Sequence, residues 1–88
     1  MNYVYVLKSK KDGKCYIGST NDLIKRVREH NAGLVVSTKV RRPFTLVYYE
    51  AYVAEEDARA REHNLKLRSR AFEQLKKRLS KTFAKLEN

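Results

Sequence analysis

The fold of this chain is decided by residues 3–33, whose sequence is YVYVLKSKKDGKCYIGSTNDLIKRVREHNAG. Residues 2–8 are dense in β-branched and aromatic side chains, which predicts a strand that is buried on both faces. The polar segment that follows contains Asp12-Gly13, a pair typical of tight turns. Residues 14–19 are again rich in strand-forming side chains, so we expect them to return as the second strand of a hairpin.

A helix is predicted after the hairpin, between Thr20 and Gly33. Thr20 or Asn21 can cap it by accepting a hydrogen bond from a free backbone N–H, and Asp22 suits the positive end of the helix dipole. Gly33 ends the helix, because glycine adopts a left-handed conformation without strain. The apolar stripe expected at helical spacing consists of Leu23, Ile24, Val27 and Ala32.

The remaining sequence predicts one more strand and two more helices. The acids Glu55, Glu56 and Asp57 favour the start of the first of these helices, and Ser69 can cap the second. The predicted segments are a loop at 34–43, a strand at 44–53 and helices at about 54–67 and 70–86. The order β-β-α-β-α-α predicts an α+β fold with a small three-stranded sheet flanked by helices. We expect a single domain over residues 1–88, with its core at about 2–80.

Charge and composition narrow the function. The 88 residues include 20 Lys and Arg against 10 Asp and Glu, a formal net charge of +10, which predicts a polyanionic partner such as nucleic acid. The alternative is a basic surface that is merely solvated. The single cysteine, Cys15, excludes an internal disulfide framework and a zinc cluster built on cysteines. We expect a cytoplasmic protein, since no signal peptide or membrane-spanning run is visible.

Four residues of the first half carry possible chemistry. Tyr5 and Tyr16 flank the predicted turn, so hairpin pairing would bring them close together. Both are also explained as ordinary sheet tyrosines, and a phenol acts as a base only if a cation or metal lowers its pKa from ~10. Arg26 and His30 share one helix face, where an arginine fork suits phosphate oxygens. The alternatives are a solvated helix flank for Arg26 and a structural role for His30.

Glu62 interrupts the inward stripe of its predicted helix, where it aligns with Ala58 and Leu65. A carboxylate at such a position needs a cation, an arginine or a metal beside it. Mg²⁺ prefers carboxylate and water oxygens and often uses substrate phosphate as well. The alternative is an internal ion pair with Arg26, Arg59 or Lys66.

These segments together resemble the GIY-YIG nuclease domain. Tyr3-Val4-Tyr5 stands at the GIY position, and Tyr16-Ile17-Gly18 is the YIG motif itself. In the following segment, GSTNDLIKRVREHN, Arg26 falls on the family's catalytic arginine and His30 on a frequent polar partner. Residues 60–66, AREHNLK, are similar to the segment that carries the metal-binding glutamate, which puts that role on Glu62. Tyr3 departs from the motif glycine, which can change how closely substrate approaches the first strand.

The resemblance is closest to small stand-alone bacterial members of the superfamily. It implies a metal-dependent endonuclease of the repair or structure-specific kind, with DNA as the expected substrate. The sequence leaves RNA open, since phosphate contacts alone do not distinguish the two. The resemblance also implies one divalent ion, Mg²⁺ or Mn²⁺, on Glu62, with Arg26 directed at the scissile phosphate. Tyr5 or Tyr16 is the general base, and the sequence leaves the choice between them open.

Basic residues outside the motifs predict the nucleic-acid surface, in the loop before the third strand and on the last helix. They are Lys39, Arg41, Arg42, Lys76, Lys77, Arg78 and Lys81. The second functional hypothesis is therefore a nucleic-acid-binding module with little or no catalysis. A third is a protein that docks an acidic protein partner. We expect no membrane association and a monomer.

Overall fold

A computed structural model describes residues 1–67 and 70–86. Three antiparallel strands form one sheet in the order β2-β1-β3, and helices cover both of its faces. This confirms the predicted α+β fold. The elements are β1 (Asn2–Ser9), β2 (Cys15–Thr20), α1 (Leu23–Asn31), a 3₁₀ turn (Lys39–Arg41), β3 (Phe44–Tyr52), α2 (Glu55–Lys66), α3 (Arg70–Arg78) and α4 (Ser80–Leu86). No helix of the described residues is long and apolar enough to cross a membrane.

The central strand β1 is buried on both faces, as its continuous apolar pattern predicts. Val4 and Val6 point to one face and pack beneath α2 and α3, where Ala58, Leu65 and Leu75 complete a core cluster. Tyr5 and Leu7 point to the other face and form a second cluster with Phe44. Leu23 and Val27 of α1 cover this second cluster. Each side chain of β1 therefore belongs to a defined face, and this alternation fixes where the functional residues lie.

Two predicted features of α1 are wrong. The helix is capped by Asp22, whose Oδ1 accepts from the Lys25 N–H at 3.2 Å, and not by Thr20 or Asn21. Thr20 instead accepts from the Asp22 N–H at 3.1 Å, and this contact holds the backbone in the bend before the helix. Ile24 and Ala32 are exposed, so the buried stripe is narrower than predicted. Gly33 ends the helix as expected, at a φ of +79°.

The predicted C-terminal helix is two helices, α3 and α4, which separate at Leu79. Leu79 packs against the first core cluster, and its N–H is shared between the carbonyls of Leu75 and Lys76 at 3.0 and 3.1 Å. Beyond this break the ring of Phe83 lies 5.8 Å from the Lys8 ammonium on β1. The predicted cap Ser69 lies outside the described residues.

The hairpin turn is tied to the loop before β3. Ser9 Oγ accepts from the N–H groups of Lys11 and Asp12, both at 3.1 Å, and donates to the Arg41 carbonyl. Asp12 Oδ2 in turn lies 2.8 Å from the Arg41 guanidinium, whose hydrogen bond lowers the pKa of Asp12 to about 2. Gly13 takes the positive φ of +72° that this turn requires. The loop therefore has a fixed position against the end of the hairpin.

Candidate active site

The candidate site lies at the β2 edge of the sheet, where Gly18 pairs with Tyr5 of β1. A Cβ atom on Gly18 would lie 2.4 Å from the Tyr5 hydroxyl oxygen and 2.5 Å from Cζ. The phenol therefore passes directly over Gly18, in space that only a residue without a side chain leaves open. This close approach carries the end of the Tyr5 side chain from the centre of the sheet toward its edge.

A hydrogen-bond chain leads from Tyr5 into the loop after α1. The Tyr5 hydroxyl lies 2.8 Å from His30 Nε2, and His30 Nδ1 lies 2.8 Å from Thr38 Oγ1. Thr38 donates to the Val35 carbonyl at 3.4 Å, and a carbonyl can only accept. Thr38 Oγ1 therefore accepts from His30 Nδ1–H, which leaves Nε2 as an acceptor. The chain thus directs the Tyr5 proton toward His30.

His30 is fully buried and surrounded by aromatic rings. The rings of Tyr16, Tyr5 and Phe44 lie 5.0, 5.7 and 6.0 Å from the imidazole. Burial lowers the pKa of His30, and the nearby Arg26 charge lowers it further, while Glu29 opposes the shift. The imidazole is therefore neutral at neutral pH, as an acceptor of the phenol proton must be. His30 therefore packs as a structural residue and also hydrogen-bonds to Tyr5 of the candidate site.

This lowered pKa predicts a pH-dependent stability. Below the ordinary histidine pKa of about 6.5, the unfolded chain binds a proton that folded His30 resists, so the free energy of unfolding falls as pH decreases. We expect urea unfolding to show this fall between about pH 7 and 5, above the range in which carboxylates titrate. His30→Gln should flatten the pH dependence, whereas the exposed control His63→Gln should keep it. An unchanged slope in His30→Gln would contradict the neutral buried imidazole.

The phenol of Tyr5 has a pKa well above its usual value. Burial raises its pKa to about 12; Arg26 opposes this shift, and Tyr16 and Glu62 add to it. The guanidinium of Arg26 pairs with Glu29 of the same helix at 3.3 Å, at a partly exposed position. Tyr16 is half-buried, and its ring centroid is 6.4 Å from that of Tyr5. The structure therefore brings together the two tyrosines, Arg26 and His30 on the α1 side of the sheet.

Glu62 reaches the same edge from the other face, on α2. Ser19 of β2 donates to its Oε1 at 2.6 Å, and the Lys66 ammonium lies 2.6 Å from its Oε2. Burial raises the pKa of Glu62, but the hydrogen bonds from Lys66 and Ser19 outweigh it and leave the pKa below its usual value. Of the ion-pair partners considered from the sequence, Lys66 is the one observed. Arg59 instead pairs with Glu55 at 2.9 Å.

The donor set fits a hard divalent cation with few protein ligands. Within residues 1–67 and 70–86, no three His, Cys, Asp or Glu side chains lie together, so an all-protein cage is absent there. Glu62 offers one ionised carboxylate, 19% exposed, and its partner Lys66 is 49% exposed on a flexible stem. Mg²⁺ is commonly held in this way, by one or two carboxylates, several waters and substrate phosphate. An ion at Glu62 would take the place of the Lys66 ammonium.

A groove of about 400 Å³, here called the edge groove, opens beside these residues. It runs between the start of α1 and the start of α2, with Ser19 and Arg26 in its walls. The ring of Tyr3, at the glycine position of the motif, lies 5.9 Å from that of Tyr49 on β3. Since β3 lies on the opposite side of β1 from β2, the Tyr3 ring leans away from the edge groove and leaves it open.

Several residues of the site had not been found from the sequence. Ser19 lies two residues after Ile17 on β2, so both side chains point to the α2 face. The two-residue period of a strand could therefore have predicted where Ser19 lies. Thr38 lies in an irregular loop, where no periodicity points to His30. Glu50 was also missed. It accepts from Tyr48, Tyr52 and Arg61, and this partly buried cluster ties α2 to β3 at Arg61, the residue before Glu62.

The residues predicted to bind nucleic acid do not form one surface. Lys39 and Arg42 are exposed in the loop, whereas Arg41 is engaged with Asp12 and with the ring of Phe44. Lys76 and Lys77 line a groove beside the hairpin. Arg78 does not line that groove; it lies near Tyr48 on β3, where burial raises the pKa of the phenol and the Arg78 charge opposes the shift. Lys81 is exposed on α4. Nucleic-acid contact by these residues remains a prediction.

Comparison with known proteins decides the family, because a model described as the GIY-YIG catalytic domain matches residues 1–78. The chain belongs to the GIY-YIG family. A UPF0213 protein of Clostridium perfringens is 45% identical over 67 residues, which cover 75% of this chain and 71% of that protein. A UPF0213 protein of Staphylococcus saprophyticus is 41% identical over 70 residues, covering 78% and 84% of the two chains.

A solved structure supports the same assignment. The solution NMR structure of a UPF0213 protein from Bacillus halodurans matches with a TM-score of 0.54 and 41% identity, over 85% of this chain and 82% of that chain. These findings confirm the resemblance to small bacterial GIY-YIG proteins. GIY-YIG membership puts the chain in a nuclease family and indicates a nucleic acid as its substrate. The UPF0213 names specify no activity.

Proposed function

We propose that the protein is a metal-dependent DNA endonuclease of the repair or structure-specific kind, acting in the cytoplasm. The observation that carries the proposal is that Tyr5 and Glu62 reach adjacent residues of β2 from opposite faces of the sheet. The Tyr5 phenol passes over Gly18, and Ser19 donates to the Glu62 carboxylate at 2.6 Å. A phenol, a guanidinium and a carboxylate at one edge, on a chain of net charge +10, suit phosphodiester hydrolysis.

Tyr5 is the proposed general base, since it is the phenol that is bonded to a proton acceptor. Its own proton faces His30 Nε2, so its oxygen can take a proton from water as it passes one to the imidazole. The water oxygen bonds to phosphorus, and the P–O bond to the leaving oxygen breaks. That oxygen takes its proton from solvent. Tyr16 lacks such a contact among the hydrogen bonds of the described residues and serves in packing His30.

Arg26 is proposed to hold the phosphate. Its guanidinium faces the edge groove, and its partner Glu29 lies on the same side of α1 at a partly exposed position. An exposed pair of this kind contributes little stability, so a phosphate can replace the carboxylate at small cost. The planar fork matches two phosphate oxygens and favours the charge that develops as the water attacks. The same positive charge opposes the burial that raises the pKa of Tyr5, and so favours loss of the phenol proton.

Glu62 is proposed to hold the divalent ion, with Ser19 fixing the orientation of the carboxylate through Oε1. When bound, such an ion would supply positive charge at the phosphate and at the leaving oxygen. Lys66 would then leave Oε2 for solvent. Its half-exposed, flexible side chain makes this movement easy.

The proposal is tested by incubating the purified protein with labelled duplex, single-stranded, flap and junction DNA. We expect cleavage with Mg²⁺ or Mn²⁺. We expect none after chelation by EDTA, because chelation removes the positive charge that stabilises the phosphate during hydrolysis. Branched substrates should be cut fastest. Absence of cleavage on all four substrates with either metal would overturn the proposed activity.

The same assay assigns the base. Tyr5→Phe keeps the ring that packs over Gly18 but loses the hydroxyl, so cleavage should fall by about 10²- to 10⁴-fold. Tyr16→Phe should remain within a few-fold of wild type. The reverse order of these two variants would transfer the role of base to Tyr16.

A second function, nucleic-acid binding with little catalysis, is favoured by one observation. In this structure both oxygens of Glu62 are engaged, and the pKa of Tyr5 is about 12, which is a resting rather than an activated arrangement. This function would appear as DNA binding by a wild-type protein that cuts none of the substrates.

A further inference from the structure

The charge of the chain is not concentrated where the proposed chemistry occurs. Among the described residues that line the edge groove, three cations face three carboxylates: Lys25, Arg26 and Arg59 against Asp22, Glu29 and Glu55. Two of these cations are already paired inside the groove. A balanced groove of this kind gives a polyanion little electrostatic attraction. The excess positive charge must therefore act elsewhere on the molecule.

A second groove, of about 660 Å³, lies at the other end of the sheet, between the hairpin and the helices α3 and α4. We call it the hairpin groove and define it by Lys8, Lys14, Phe72, Lys76, Lys77 and Phe83. Four lysines line it against a single carboxylate among the described residues, that of Glu73, which pairs with Lys76 at 3.0 Å and leaves an excess of three positive charges. The break between α3 and α4 helps to form it, because it places Phe83 beside Lys8.

A path along β2 leads from the hairpin groove toward the candidate site. A depression lined by Tyr16, Lys66 and Arg70 runs beside this strand and shares Cys15, Phe72 and Glu73 with the hairpin groove. Its Lys66 is the residue that pairs with Glu62. Cys15 and Thr20, at the two ends of β2, are five residues apart, a separation of about 17 Å. One extended polymer can therefore contact the site and the hairpin groove at the same time.

The lining of the hairpin groove indicates which polymer it takes. Lysines supply contacts for a phosphate backbone, and the rings of Phe72 and Phe83 supply apolar faces beside them. Duplex DNA presents phosphates outward and keeps the faces of its bases stacked inside. It therefore offers no base face that could stack on these two rings. An unpaired strand exposes both phosphates and base faces, and proteins bind it with this combination of cations and aromatic rings.

We propose that the hairpin groove binds a single-stranded segment of the DNA whose scissile phosphate lies in the edge groove. This rests on the proposed function for the identity of the polymer. Binding is then supplied mainly by the lysines of the hairpin groove and cleavage by the residues at Gly18. A substrate needs an unpaired arm that extends along β2 to gain both.

The test measures binding without cleavage, by fluorescence anisotropy in EDTA. The probes are a labelled twelve-nucleotide oligothymidylate and a duplex of twelve base pairs, each titrated between 50 and 200 mM NaCl. Wild type should bind the single strand more tightly. The groove variant Lys14→Gln/Lys77→Gln should lose about tenfold in affinity, and its salt slope should fall by about 1.4, since each phosphate contact on a single strand contributes about 0.7.

The matched control is Lys10→Gln/Arg28→Gln, which likewise removes one charge from the hairpin turn and one from a helix, at exposed positions that line neither groove. It should bind within twofold of wild type. Phe83→Leu keeps an apolar side chain but loses the ring, so single-strand affinity should fall about fivefold or more while duplex binding is unchanged. Circular dichroism and thermal melting of each variant show whether it is folded.

Equal losses of affinity in the groove and control variants would overturn the inference, because binding would then depend on the total charge and not on where the lysines lie. So would duplex binding as tight as single-strand binding, or a groove variant that binds like wild type. The cleavage assay is independent of these results. If binding depends on the groove but the protein cuts no substrate, the groove is supported and the proposed nuclease activity is overturned. If the protein cuts DNA but the groove variant binds like wild type, the nuclease activity is supported and the groove is overturned.

Discussion

Glu62→Gln is expected to reduce cleavage by on the order of 10³-fold, because it removes the charge that holds the divalent ion while keeping the size of the side chain. Ser19 can still donate to the glutamine oxygen, so the fold of the β2 edge should be unchanged. DNA binding in EDTA should remain within a few-fold of wild type. Single-turnover cleavage of a flap substrate at saturating Mg²⁺ measures the effect.

The control for this prediction is Glu56→Gln, an exposed carboxylate on the same helix outside the edge groove, which should leave the rate unchanged. Lys66→Gln gives a further check with the opposite sign. Since the Lys66 ammonium lies 2.6 Å from the oxygen that an ion would use, its removal should lower the Mg²⁺ concentration needed for half-maximal cleavage. Full activity in Glu62→Gln would show that the metal, if required, binds elsewhere.

Gly18→Ala is expected to reduce cleavage by about 10²-fold, because displacement of a catalytic group by about 1 Å is enough for such a loss. The new Cβ would meet the Tyr5 hydroxyl at 2.4 Å, and Tyr5 is buried and bonded to His30, so the phenol must move. Overpacking of this kind should also lower the free energy of unfolding by about 1–3 kcal/mol. Cleavage rates and urea unfolding measure the two effects.

Gly13→Ala is the matched control, since nothing lies within 4 Å of a Cβ at that position. Its φ of +72° is unfavourable for alanine, so stability should fall by about 1 kcal/mol while cleavage is unaffected. In a Tyr5→Phe background, Gly18→Ala should cause little additional loss of activity. Independent, additive losses in the double variant would mean that Gly18 acts through something other than Tyr5.

The sequence predicted the architecture because its strongest patterns are local. The continuous apolar run of β1, the Asp12-Gly13 turn and the glycine at the end of α1 each fix one element by steric preference or burial. The family motifs then located the site, and the structure places Tyr5, Tyr16, Arg26 and His30 together with Glu62 across the strand edge. These motifs do not assign the base, whereas the hydrogen-bond chain from Val35 to Tyr5 favours one tyrosine.

Other features depend on tertiary contacts that leave no period in the sequence. Thr20, Asn21 and Asp22 are all good caps, and only the bend of the chain after β2 selects Asp22. The helix pattern continues through Leu79, so the break there follows from how Leu79 and Phe83 pack on different parts of the sheet. Glu62 had three possible cationic partners, and the choice of Lys66 depends on rotamers. Grooves formed by distant segments, such as Lys14 with Lys77, were not visible for the same reason.

The open side of β2 has a consequence for the behaviour of the protein in solution. Among the described residues this strand pairs with β1 alone, so its outer backbone groups are available to the strand of another copy. Such edges invite aggregation, yet covering this one would close access to the proposed chemistry. The strand is only six residues long, and every copy carries the same strong positive charge. Mutual repulsion between copies can thus keep the edge unpaired, so neutralising lysines to improve crystals or expression risks promoting sheet-to-sheet association.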